Sequence, residues 1–250
     1  MPLDAYAEAD AQLVIANAAM YLIHRCMTDK GFDTPYRPID PSRQAPLGGT
    51  DQQGYGLPAA HPSGSGYGLP DRAADVARLQ GMLEAEQQSQ TPAYRKAFYG
   101  TETVPPVGQP GPDACVNADA ALHSTTKGVD LDLVASLAGQ ARASTLTDSR
   151  IRRLTTEWST CMAAAGFRYA DPRAPFAVAW PHPASSEEIA TATADVACKQ
   201  QTGLVSTWQQ VEAGYQQVLI DRNRQALEGV RQAQSELVRR AHQLTGDSPS

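Results

Sequence analysis

No stretch of eighteen apolar residues occurs in this 250-residue chain, so the sequence offers no membrane-spanning helix. Its most apolar run, Leu13 to Ile23, is too short, contains Asn17, and lacks the basic leader and small-residue cleavage site of a signal peptide. Met1-Pro2-Leu3 is read as a start that replaces a removed export segment. Positive charge is also scarce. Lysine and arginine number 21 against 27 acidic residues, a net charge of -6, which argues against nucleic acid because phosphate binding needs a basic face. Catalytic signatures are missing as well. There is no Gly-x-Ser-x-Gly, no phosphate-binding loop, no dinucleotide fingerprint and no His-Glu-x-x-His. The glycine cluster Gly64-Ser65-Gly66-Tyr67-Gly68 neither follows a strand nor opens a helix. His24, His61, His123, His182 and His242 are scattered, and no two share a helical face at metal-ligand spacing. The sequence therefore assigns no catalytic, cofactor-binding or metal-binding residue.

What is present is helical. Hydrophobic residues make up 42% of the chain and charged residues 19%, as in a globular protein. The 19 glycines and 18 prolines concentrate in Pro35 to Pro70 and Val104 to Pro112. The remainder is rich in Ala, Gln, Leu and Arg, a contrast that predicts helices joined by a few long irregular stretches.

One internal repeat organises the chain. Cys26-Met27-Thr28-Asp29-Lys30-Gly31-Phe32 aligns with Cys161-Met162-Ala163-Ala164-Ala165-Gly166-Phe167, and each is followed by an aromatic, an arginine and a proline. Before the first, Leu13, Ala16, Met20, Ile23 and Met27 recur at helical spacing. Before the second, Ile151, Leu154, Trp158, Cys161 and Ala165 do so. Each motif reads as a helix end: the glycine takes positive φ without a Cβ clash, and the phenylalanine folds back on the last turn.

Each motif has one later cysteine, Cys115 and Cys198. Four cysteines allow three pairings. Repeat logic favours Cys26–Cys115 with Cys161–Cys198, each unit closing on itself, while Cys26–Cys161 is the main rival. Four buried thiols are a further reading. A zinc site is disfavoured because no Cys-x-x-Cys occurs and His24 points away from Cys26 on a helix.

Along the chain, helices are expected over Asp4 to Lys30, Asp71 to Gln88, Pro92 to Tyr99, Asp113 to Ser124, Asp130 to Ala143, and from Thr147-Asp148 through the second motif. Pro175 to Pro183 reads as a short extended run. Ser185 to Glu188 reads as a capping box opening a helix that holds Cys198 and breaks near Gly203. Leu204 to Leu244 is the longest helical signal, with Leu204, Trp208, Val211, Tyr215 and Val218 on one stripe. Arg222 interrupts it before Ala226, Val230, Ala233, Leu237, Ala241 and Leu244. Such a helix either packs on its own domain or pairs with another copy. The loop Pro35 to Pro70 carries Gly-Tyr-Gly-Leu-Pro twice, as a core-packing segment or as a mobile binding loop. Tyr55, Tyr67 and, on a later loop, Trp180 are the candidate partner-binding residues.

The pattern Trp158-x-x-Cys161-Met162-x-x-x-Gly166-Phe167-x-Tyr169, followed by a Glu-rich helix start and Asp195-x-x-Cys198, resembles uncharacterised exported proteins and lipoproteins of high-GC actinobacteria. The resemblance covers Thr147 to Gln200 well and the first motif less well. It implies a domain outside the cytoplasmic membrane, secreted or lipid-anchored through a cysteine beyond this sequence, and it carries no activity to transfer.

The expectation is a mainly α, irregular helical protein with two disulfide-anchored helical units, 1–128 and 129–250, forming one compact body with a long C-terminal helix. Its expected role is a non-enzymatic binding or accessory protein of the cell envelope, taking a protein, peptide or small-molecule ligand, as a monomer or helix-mediated dimer. An envelope hydrolase with a non-standard site and a self-associating coiled-coil protein are the alternatives. The hydrolase would show a deep polar pocket with convergent carboxylates or histidines, the binding protein a shallow or apolar groove.

Overall fold

The computed structural model describes residues 1–7, 9–33, 36, 38–39, 55, 66–67, 90–106, 109–124, 126, 128–181 and 183–246. The helix expected over Asp71 to Gln88, most of the loop 35–70, His61 and His182 lie outside them. The described chain is mainly helical, without strands. Seven α-helices occur among the described residues: α1 (Ala9–Asp29), α2 (Pro92–Tyr99), α3 (Ala120–His123), α4 (Leu133–Thr147), α5 (Ser149–Ala164), α6 (Ser186–Thr202) and α7 (Leu204–Thr245). No described helix is long and apolar enough to cross a membrane.

Both repeated motifs end their helices in the same way. Phe32 N–H donates to Met27 O at 3.0 Å and Gly31 N–H to Thr28 O at 2.9 Å. Phe167 N–H donates to Met162 O at 2.9 Å and Gly166 N–H to Ala163 O at 3.1 Å. These are the paired bonds of a Schellman ending, with the glycines at φ +85° and +93°. The methionine supplies the carbonyl that the phenylalanine N–H seeks, and both side chains join the same apolar cluster at each end. Cys26 pairs with Cys115 and Cys161 with Cys198, with Cα atoms 5.5 and 5.7 Å apart, and no cysteine is free.

By its internal packing the chain divides into two units. One comprises Met1–Ala5, Gly49–Gly81 and Val134–Asn223. The other comprises Tyr6–Gly48, Met82–Leu133 and Arg224–Ser250. In the first unit, Ile151, Leu154, Trp158 and Met162 of α5 pack with Cys198 of α6 and with Leu204, Val205, Trp208 and Val211 of α7. Leu3, in the same unit, is also buried, with its N–H given to Gln216 Oε1 at 3.1 Å. In the second unit, Ala18, Leu122, Leu237 and Ala241 form one cluster, and Met27, Ala97 and Cys115 form another around the first disulfide.

Several boundaries and faces differ from the sequence reading. The first helix is a 3-10 turn, Pro2–Tyr6, followed by α1. The helix expected from Asp113 is a 3-10 turn, Cys115–Asn117, and the short α3. The next expected helix opens at Leu133, because Asp130 forms a turn by accepting the Asp132 N–H at 3.1 Å. The expected extended run from Pro175 opens instead as a 3-10 turn, Pro175–Ala177, seeded by a proline whose fixed φ suits a first helical position, and turns extended at Val178 (φ -68°, ψ 137°).

The stripe of α7 is buried at Leu204, Trp208, Val211, Val230, Ala233, Leu237 and Ala241 and departs from the sequence reading at two places. Val218 is 45% exposed, while Glu212 and Gln216 are buried, and Leu227 rather than Ala226 enters the core. Met20 on α1 is likewise 36% exposed while Ala11 and Ala18 are buried. In α5 the fourth core residue is Met162, not Cys161, and Ala165 is exposed. Apolar residues on several faces of α1 left its buried side undetermined. In α7 the polar side chains Glu212 and Gln216 are buried beside the apolar stripe, which an apolar count passes over. The interruption sensed at Arg222 falls at Asn223, whose backbone leaves the helix (φ -118°, ψ 18°) and whose Nδ2 donates to Leu219 O at 2.8 Å.

Candidate functional site

The chemistry-bearing side chains of the first unit gather along one face of α6. Ser185 caps the helix, its Oγ accepting the Glu188 N–H at 3.1 Å. The capping box stops there. Instead of reaching back to the cap, Glu188 accepts the backbone N–H of Tyr67 through Oε1 at 2.9 Å. Gly66, at φ +63°, makes this approach possible, since a Cβ there would lie 2.4 Å from Glu188 Oε1. Glu188 is 2% exposed, and its Oε2 has no hydrogen-bond partner among the described residues.

Two turns along, Asp195 is fully buried and takes three donors. Trp158 Nε1 donates to Oδ1 at 2.9 Å, Lys199 Nζ to Oδ2 at 2.9 Å and the Tyr67 hydroxyl to Oδ2 at 3.3 Å. Burial pushes the Asp195 carboxyl up and the Lys199 ammonium down from their ordinary values, while their ion pair and the tryptophan and tyrosine hydrogen bonds oppose this. Burial, reinforced by the neighbouring Asp195 carboxylate, drives the Tyr67 hydroxyl far above the range in which a phenol ionises. Tyr67 is thus a permanent donor, and every polar group on Asp195 is engaged.

Trp180 covers this cluster. Its ring stacks on Tyr67 with centroids 5.8 Å apart and planes 7° from parallel, and Phe176 meets the same tyrosine edge-on at 6.5 Å. The Trp180 indole N–H is given to Pro175 O at 2.8 Å, within its own turn. Beyond it Phe176 is 48% and Val178 41% exposed. A third buried acid lies on α7, where Glu212 accepts Trp208 Nε1 at 2.7 Å and stands 4.0 Å from Arg142 Nε.

Of the three residues singled out as partner-binding candidates, Tyr67 and Trp180 are brought together and Tyr55 is not with them. Tyr55 lies in the core against Trp208, rings 6.0 Å apart. Both loop tyrosines are therefore core-packed. Glu188, Asp195 and Lys199 were missed. The available signal was Cys198: once it is bonded into the core, Asp195 three residues before it shares its face, and Lys199 lies one turn beyond Asp195.

In the second unit a hollow of about 510 Å³ is bordered by Lys30, Ala93, Lys96, Ala97, Gly100, Pro112 and Asp113. Lys30 Nζ is engaged by Asp113 O at 2.7 Å. Among the described residues no three His, Cys, Asp or Glu side chains converge as metal ligands. No protein-family model matches the chain, and no curated protein or solved structure is significantly similar to it.

Proposed function

We propose that the chain is a non-enzymatic binding or accessory protein of a bacterial cell envelope, of the actinobacterial kind its second motif resembles. The supporting observation is the contrast within the first unit. The groups that burial shifts, Tyr67, Asp195 and Lys199, are engaged by one another and by Trp158, whereas Phe176 and Val178 on the turn above them face outward and are apolar. A hydrolase needs its acid and base within hydrogen-bond reach of substrate, and Asp195 and Lys199 already use their reach on each other, Trp158 and Tyr67. Two disulfides with no free cysteine suit an oxidising compartment, which supports a place outside the cytoplasmic membrane.

Two measurements test this. Non-reducing peptide mapping of protein taken from fractionated cells should find it outside the cytoplasm with both bridges formed; four free thiols in a cytoplasmic fraction would sink the reading. In a strain lacking the gene, Glu188→Gln should complement fully and Phe176→Asp/Val178→Asp should not. The reverse pattern would favour the hydrolase, whose one supporting feature is the unpartnered Glu188 Oε2.

A further inference from the structure

Lys199 is an amine sealed inside the first unit. Its side chain and that of Asp195 are both 0% exposed, with Nζ 2.9 Å from Oδ2. Two charges so enclosed forgo their hydration, a loss that mutual attraction often does not outweigh. Burial draws the carboxyl up and the ammonium down, toward a neutral acid and a neutral amine. A neutral amine held against a neutral carboxyl, out of water, is a nucleophile beside its electrophile.

The geometry points to a covalent site: we propose that Lys199 Nζ and Asp195 Cγ condense to an isopeptide bond across one turn of α6. A proton first passes from Nζ to Oδ2 along their hydrogen bond. The Nζ lone pair then attacks Cγ, and the Cγ–Oδ1 π pair moves onto Oδ1. There the Trp158 indole N–H, at 2.9 Å, faces the developing charge. As that pair returns, the Cγ–Oδ2 bond breaks and Oδ2 leaves as water, taking a second proton from Nζ. The Tyr67 hydroxyl, 3.3 Å from Oδ2, donates to the departing oxygen. Of the three ammonium protons one stays on the amide nitrogen and two leave in the water, and the two charges cancel.

Position favours this reaction. Residues four apart share a helix face, and α6 is helical throughout Ser186–Thr202 with the pair already in contact, so closure needs no unwinding. Such a fixed pair replaces a bimolecular encounter. The pair is also walled in: Cys198, next to Lys199, is bonded to Cys161 on α5, and Trp180 stacks on Tyr67. Dry surroundings oppose the reverse hydrolysis, and the product leaves neither charge of the pair in the core.

The bond forms wherever the chain resides, so its absence would leave the envelope reading untouched. Intact-mass spectrometry of the folded full chain is the test. The expected mass is one water below that of the sequence with its two disulfides formed. After reduction and unfolding, trypsin should fail to cut between Lys199 and Gln200, and fragment ions should keep Asp195 and Lys199 joined. Lys199→Arg, which retains a cation but no condensing amine, should restore both the lost water and the cut. A wild-type chain at full mass overturns the proposal, whatever the variant does. A missing water that persists in Lys199→Arg, or a dehydrated wild-type chain that trypsin still cuts after Lys199, overturns it equally.

Discussion

At the residue scale, Asp195 and Lys199 carry the largest consequences. A buried pair stripped of one partner leaves an uncompensated charge, and such losses amount to roughly 3–5 kcal/mol. Lys199→Met should therefore destabilise the protein by about 3 kcal/mol, measured by denaturant unfolding. Asp195→Asn should cost a similar amount, and the double variant should cost clearly less than the two together. Asp148 gives the pH-dependent counterpart. Its carboxylate caps α5, accepting the Arg150 N–H at 2.9 Å, two bonds from the Arg150 guanidinium and the Tyr215 hydroxyl at 3.1 Å. The Arg150 side chain above all, with help from Tyr215, holds its pKa well below the ordinary carboxylate value. A depressed carboxylate contributes stability that is fully present above its unfolded pKa of about 4 and is lost as pH falls toward the lower folded value. Asp148→Ala should lower stability by about 1 kcal/mol at neutral pH and flatten the acid limb of the stability curve below about pH 4. Asp148→Asn should keep part of the cap and lose the same pH dependence.

At the scale of elements, the repeated helix ending is the feature most legible in sequence. A glycine five residues after a cysteine, followed by an aromatic, predicted the left-handed residue and the folded-back phenylalanine, because both follow from local sterics. An added Cβ at Gly31 or Gly166 would meet nothing within 4 Å, so the cost of alanine there is purely conformational. Gly31→Ala and Gly166→Ala should each destabilise by about 1 kcal/mol. Gly66→Ala should cost more, since it also displaces the buried Glu188 carboxylate; thermal melts of the three variants check the order. The short α2 and the break at Gly203 were legible for the same local reasons, while the cysteine pairing, Cys26 with Cys115 and Cys161 with Cys198, is the one repeat logic favoured over its Cys26–Cys161 rival. Helix faces were less so. The sequence placed Val218 inside and passed over Glu212 and Gln216, which meet the distant residues Arg142 and Leu3 as well as Trp208 one turn away from Glu212. The meeting of Glu188 with Tyr67 was invisible for that reason too: the two lie 121 residues apart, and no local pattern encodes such a contact.

For the whole molecule, the disulfides are the main global constraint. They enclose separations of 89 and 37 residues, for which loop entropy corresponds to about 4.6 and about 3.9 kcal/mol. Reduction should therefore be severe, and Cys161→Ala/Cys198→Ala should retain somewhat more stability than Cys26→Ala/Cys115→Ala, as guanidinium melts would show. The first pairs an ending of α1 with a turn in one unit, the second ties α5 to α6 in the other. Neither bridge holds the Gly66-Tyr67 segment to α6. Among the described residues, that fastening includes the Tyr67 N–H at Glu188, the Tyr67 phenol at Asp195 and the stacked Trp180 indole. Contacts between such distant residues are entropically expensive to nucleate and form late. Weakening them should thus leave the refolding rate nearly unchanged and accelerate unfolding, which makes Tyr67 a control on how long the native state persists rather than on how quickly it is reached.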